Sequence, residues 1–126
     1  MGRAIAGELA AEGAVIVVAD YKRQEEGEEL VAEIVARGGK AASIDGNVAD
    51  VARCAEIVAF AVERFGGLDI LVNNAGHGVR QPLAEISEAD YNFQLDLHLK
   101  GPFFLMQAAA PHMRERGAGR IVNISS

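Results

Sequence analysis

The sequence predicts an α/β fold: a doubly wound parallel sheet with helices on both faces. Three observations point to it. Amphipathic and purely apolar segments alternate regularly along the 126 residues. The strand-like segments are continuous apolar runs, as expected of strands covered on both faces. No linker, repeat or low-complexity stretch breaks the order, and half of the residues are hydrophobic, ample for a core.

The elements follow in order. Residues 2–12 place Ile5 and Leu9 at helical spacing with the small Ala6 and Ala10, and Gly13 is set to end that helix. The run from Ala14 to Ala19 has no polar alternation and reads as a buried strand. Residues 24–37 turn amphipathic, with Leu30, Val31, Ile34 and Val35 on one side, until Gly38-Gly39 stops them. A weaker strand at 40–45 precedes a helix near 49–65, broken by Gly66-Gly67. Asp69 to Val72 is a short apolar strand. Ser87, with Asp90 three residues on, has the pattern of an N-cap. A long helix then reaches about Arg116, bent at Gly101-Pro102 and at Pro111, and Arg120 to Ile124 form the last strand.

Composition narrows the function classes. Twelve basic against 18 acidic residues give a net charge of −6, a poor footing for nucleic-acid binding. No apolar run approaches the ~18–20 residues of a membrane span. Glu8 and Glu12 interrupt any secretory signal, and Ala6 stands where myristoylation needs Ser or Thr. The lone Cys54 cannot form an internal disulfide, which fits a reducing compartment, and a cytoplasmic location is expected. No metal ligands are assigned.

Ligands of open parallel sheets bind beyond the carboxyl ends of the strands. Asp20 ends the first apolar run, where an acidic residue accepts hydrogen bonds from adenosine ribose hydroxyls; a solvent-facing aspartate is the plainer alternative. Gly2 precedes a helix whose N-terminus suits a pyrophosphate. Asn47-Val48 follows the next strand, either meeting an adenine edge or forming a plain turn. Asn73-Asn74-Ala75-Gly76 is more distinctive: amide groups and small residues together at a strand end combine hydrogen bonding with close backbone approach.

These segments, with Leu99-Lys100-Gly101-Pro102-Phe103 and Gly119 to Ser126, make the chain resemble a short-chain dehydrogenase/reductase over essentially its whole length. The resemblance implies a Rossmann-like sheet and an NAD(P)-dependent oxidoreductase acting on a secondary alcohol or ketone. The surroundings of His98 are similar to ketoacyl and acyl-thioester reductases. Gly2 corresponds to the last glycine of the family's TGxxxGxG loop. Asp20 corresponds to the residue that selects NAD over NADP, so NAD is expected and NADP less so, although Lys22 and Arg23 stand close by. Asn47 and Val48 fall at the adenine site, Asn47 replacing an aspartate but still able to accept through its carbonyl oxygen. Asn74, Ala75 and Gly76 line the cofactor cleft.

Of the family's Asn-Ser-Tyr-Lys tetrad, the serine corresponds to Ser126, and His98 occupies the asparagine position. His98 has three readings: its main-chain carbonyl holds a relay water, its imidazole joins the relay, or its ring fills space between helix and sheet. The tyrosine–lysine pair is absent, since Glu25 lies four residues after Tyr21 and Leu95 four after Tyr91. The resemblance thus implies one partial domain over residues 1–126, lacking the family's first strand and the catalytic pair, and inactive by itself. A non-catalytic nucleotide-binding or subunit-interaction half-domain is the alternative. The full-length parent is expected to form homodimers or homotetramers through the long helix at 87–116. In the family's strand order the absent strand separates those at 14–19 and 69–72, so their open edges are expected to pair with each other or with another chain.

Overall fold

The computed structural model describes residues 1–78 and 80–125. Its elements are α1 (Gly2–Ala11), β1 (Ile16–Asp20), α2 (Gln24–Ala36), β2 (Ala41–Asp45), α3 (Val51–Phe65), β3 (Ile70–Asn73), α4 (Glu88–Leu95), α5 (Gly101–Glu115) and β4 (Arg120–Asn123). A 3₁₀ turn covers Leu83–Glu85, and a π-helical segment covers Asp96–Lys100. The expected α-β alternation is present throughout.

Local chemistry sets the boundaries. Asp50 caps α3 by accepting from the Ala52 amide at 3.0 Å, and Gly66 closes that helix in the left-handed region at φ 84°. Ser87 and Asp90 form a reciprocal capping box at the start of α4. The long helix expected over 87–116 is not continuous. The π segment separates α4 from α5, ahead of the bend expected at Gly101-Pro102, and Pro111 is accommodated inside α5.

The strands form two separate parallel pairs, β1 with β2 and β3 with β4. Ile16 to Asp20 stand opposite Ala41 to Asp45, and Ile70 to Asn73 opposite Arg120 to Asn123. Among the described residues β1 and β3 do not pair with each other, which removes one of the two expected fates of their edges.

Side-chain parity puts helices on both faces. Ile16 packs with Leu30 and Ile34 of α2, and Ala6, Leu9 and Ala10 of α1 close the same cluster. Residues of opposite parity, Ile44 on β2 and Leu71 on β3, pack against α3 and α5 around Cys54, Ile57, Val58, Leu105 and Ala109. Helix α1 spans both pairs: Ile5 and Leu9 also face Ile70, Val72, Val122 and Ile124 across an apolar groove of about 470 Å³. Within each parallel pair the strands end together, Asp20 beside Asp45 and Asn73 beside Asn123. In α5, Met113 is buried, Phe104 packs against the larger cluster, and Phe103 is exposed.

Candidate functional site

Helix α1 begins without a side-chain cap, which leaves its first amides unpaired by side chains. Gly2 at its start touches the end of β3, where an added Cβ would lie 2.7 Å from Asn74 Nδ2. A side chain at position 2 would have to displace the Asn74 amide. The start of α1 and the Asn74 amide therefore lie side by side.

Asp20 is the last residue of β1 and half-buried. Its Oδ1 accepts from the Tyr21 amide at 3.0 Å, and Gly27 of α2 lies beside it, a Cβ there reaching 3.8 Å from Oδ2. Neither neighbouring cation engages the carboxylate. Lys22, in the left-handed region at φ 61°, holds its Nζ 5.1 Å over the Tyr21 ring, and Arg23 pairs with Glu26 at 3.4 Å. Among the described residues Asp20 has no ion-pair partner.

Asn47 follows β2, and its carbonyl oxygen accepts from the Ala49 amide at 3.1 Å. The oxygen expected to meet an adenine amino group is thus already used in an Asx turn, leaving one lone-pair direction and the Nδ2 donors. The Val48 side chain is buried in the α3–α5 core, which leaves its backbone as the part that could face a ligand. Its carbonyl accepts from Cys54 Sγ at 3.3 Å and would lie 2.3 Å from a Cβ on Gly101. Burial pushes the Cys54 thiol up, as for a structural cysteine.

Asn73 is buried at the end of β3 and donates through Nδ2 to Asn123 Oδ1 at 2.7 Å. Ala75 and Gly76 are exposed beyond it. A Cβ at Gly76 would approach His98 Cε1 to 2.9 Å, and His98 Nε2 lies 3.0 Å from the His77 carbonyl oxygen. Gly2, Asn74, Gly76 and His98 are therefore linked in one run from α1 to the π segment. Asp20 and Asn47 stand apart from that run, at the ends of β1 and β2. Ser126 lies outside the described residues.

Sequence reasoning missed the π segment, the role of His77, and the close approach of Gly101 to Val48. Asp96 and Lys100 pair at 2.6 Å across the π segment, a spacing ordinary helices share, so it gave no signal in the sequence. No described helix is long and apolar enough to cross a membrane, and no group of three or more His, Cys, Asp or Glu among the described residues suits a metal ion.

The whole of residues 1–126 matches the family model for short chain dehydrogenase. The chain belongs to that family. It is 42% identical to an uncharacterized oxidoreductase of Thermotoga maritima, over all of this chain and 49% of that protein. It is 38% identical to the 3-oxoacyl-(acyl-carrier-protein) reductase FabG of Staphylococcus aureus, over all of this chain and 51% of that one. This short-chain dehydrogenase chain thus spans about half the length of the curated relatives it matches. Among solved structures, a metagenomic short-chain oxidoreductase in complex with NADP superposes with a TM-score of 0.92 at 35% identity, covering 99% of this chain and 56% of that one. A short chain dehydrogenase from Mycobacterium avium gives 0.90 at 41% identity, covering 99% and 48%. These neighbours establish the Rossmann-like α/β fold.

Proposed function

We propose that the chain forms the dinucleotide-binding part of an NAD-dependent oxidoreductase that moves a hydride between nicotinamide and a secondary alcohol or ketone. The observation that carries this reading is the meeting of Gly2 and Asn74, which leaves an uncapped helix N-terminus open where a side chain would fill it. The residues fit the cofactor. The α1 amides at Gly2 would hold the pyrophosphate, Asp20 the adenosine ribose, and Asn47 with the Val48 backbone the adenine. Asn74, Ala75 and Gly76 would line the path toward the nicotinamide, which supplies or accepts the hydride when bound.

The preference for NAD rests on Asp20 alone. A carboxylate without a counter-ion accepts two ribose hydroxyls and repels a 2′-phosphate. One solved neighbour holds NADP, so the family gives no ground for ranking NADP below NAD. Ser126 would orient the substrate carbonyl. The π segment supports the main-chain role for His98, because such a segment departs from α-helical carbonyl pairing and often sits at a functional site. Similarity to a 3-oxoacyl reductase supports a ketoacyl or hydroxyacyl thioester as substrate.

The same reading has the full-length parent assembling as a homodimer or homotetramer through α4 and α5, where Tyr91, Leu95, Leu99 and Phe103 are exposed at fourfold spacing. A cytoplasmic location accords with the single buried cysteine.

Calorimetric titration with NADH and NADPH tests the proposal. NADH is expected to bind more tightly, and Asp20→Ser to abolish the difference. Failure of both nucleotides to bind would overturn the reading. With a panel of ketones no turnover is expected from these 126 residues, which lack the Tyr-x-x-x-Lys pair. Turnover that Ser126→Ala abolishes would refute that expectation.

A further inference from the structure

We infer that the His98 imidazole is a positioning group that fastens residues 74–77 to the π segment. A carbonyl oxygen can only accept, so the 3.0 Å contact with His77 requires a proton on His98 Nε2 and fixes the ring's donor. Gly76 lies against the same ring, with room for no Cβ at ordinary contact distance. The His77 ring meets Phe93 of α4 edge-on, with centroids 6.2 Å apart. His77 is thus held twice by the α4–π stretch, through its carbonyl and through its ring. The other end of the loop is held at Asn74 against Gly2. The loop is clamped between two helix ends, and His98 supplies the directional half of the clamp.

This role differs from the three open to a residue at this position. The ring makes a specific donor contact to the backbone, which is more than filling space. The consequence is a loop already set in place before any ligand arrives, which lowers the ordering cost of binding. The contact lies within the chain itself, so it stands or falls separately from the nucleotide reading.

Amide exchange of residues 74–78 in the nucleotide-free chain tests it. His98→Phe keeps an aromatic ring and removes the donor, while His98→Gln keeps a donor. His98→Phe is expected to speed exchange in the loop about three- to tenfold, the worth of one ordinary hydrogen bond, with α3 unchanged. His98→Gln is expected to restore most of the protection. Loop exchange within about twofold of the original chain in His98→Phe, or equal opening in both variants, would overturn the inference. Should His98→Phe also loosen α3, Gly76→Ala decides. A Cβ there pushes the ring off the His77 carbonyl and is expected to open the loop, whereas Gly78→Ala, with nothing within 4 Å, is expected to leave it closed. An unaffected loop in Gly76→Ala overturns the clamp.

Discussion

Asn73 and Asn123 close the β3–β4 pair with a side-chain hydrogen bond of 2.7 Å between the last residues in register. Directly beside it, the Ile124 amide donates to the Asn73 carbonyl at 2.9 Å. Asn73 is buried, and its own Oδ1 has no partner, so the site already carries one unsatisfied acceptor. Asn123→Ala adds an unsatisfied donor, Asn73 Nδ2. The expected cost is about 1–3 kcal/mol, the desolvation of a stranded buried polar group. It is read as faster exchange of the Ile124 amide, with exchange in β1–β2 unchanged. Asn73→Leu in the Asn123→Ala background removes both polar partners and is expected to recover part of the loss. No recovery in the double variant would show that the pair is not an isolated polar contact.

Close packing makes a second contrast between two glycines. Gly101 begins α5 against Val48, where a Cβ would lie 2.3 Å from a backbone oxygen that cannot rotate away. Gly7 sits mid-α1 with nothing within 4 Å. Gly101→Ala is expected to destabilise by about 1–3 kcal/mol, as overpacking of a filled core does. Gly7→Ala is expected to stabilise by about 0.5–1 kcal/mol through helix propensity alone. Thermal melts followed by far-ultraviolet circular dichroism separate the two. Equal shifts would mean that Gly101 does not set the spacing between α5 and the Asn47-Val48 turn.

How much was legible beforehand follows from which residues act locally. The Ser87–Asp90 box, the Gly66 stop and the apolar strands depend on neighbours within a few residues, and all stand where the pattern puts them. Asp20 ends its strand because a carboxylate terminates an apolar run, also a local fact. The π segment was not legible. Leu97 is buried in the α3–α5 cluster and Gly101 lies against the Val48 carbonyl, tertiary contacts that helical periodicity does not register. The inward turn of Val48 was not legible either: its side chain joins the core cluster, while Asn47 beside it accepts from the Ala49 amide. The His98–His77 contact joins residues 21 apart and has no sequence signature at all.

The cap of α4 makes its N-terminus sensitive to acid. The Ser87 hydroxyl bond, then the Gln81 amide and the Ser87 backbone, hold the Asp90 carboxyl below the usual carboxylate range. A folded value depressed below the unfolded one, about 3.9, contributes stability that is fully present above that pH. That contribution is lost as pH falls through the lower folded value. The first turn of α4 is therefore expected to fray in acid at pH values below about 4, with the Asp90 and Tyr91 amides exchanging first. Ser87→Ala should move the carboxyl back toward its ordinary range, as followed by the Asp90 side-chain carbon shift in a pH titration. An unchanged titration in that variant would show that the capping box does not set the charge state.

Open sheet edges govern how the chain behaves in solution. Among the described residues β1 and β3 each pair on one side only, and Val15, Ile70, Ile121, Val122 and Ile124 are exposed. Unpaired backbone beside apolar side chains is a template for strand addition. The 126-residue chain is expected to be marginally stable and to self-associate with rising concentration, seen as concentration-dependent light scattering and a broad calorimetric transition. Ile70→Lys places a charge in the groove between α1 and the β3–β4 pair, and such gatekeepers oppose edge-to-edge growth. That variant is expected to scatter less at equal concentration without gaining thermal stability. A sharp, cooperative, concentration-independent transition of a monomer in the original chain would contradict the prediction, because it would mean that two separate strand pairs and one bridging helix suffice for a closed core.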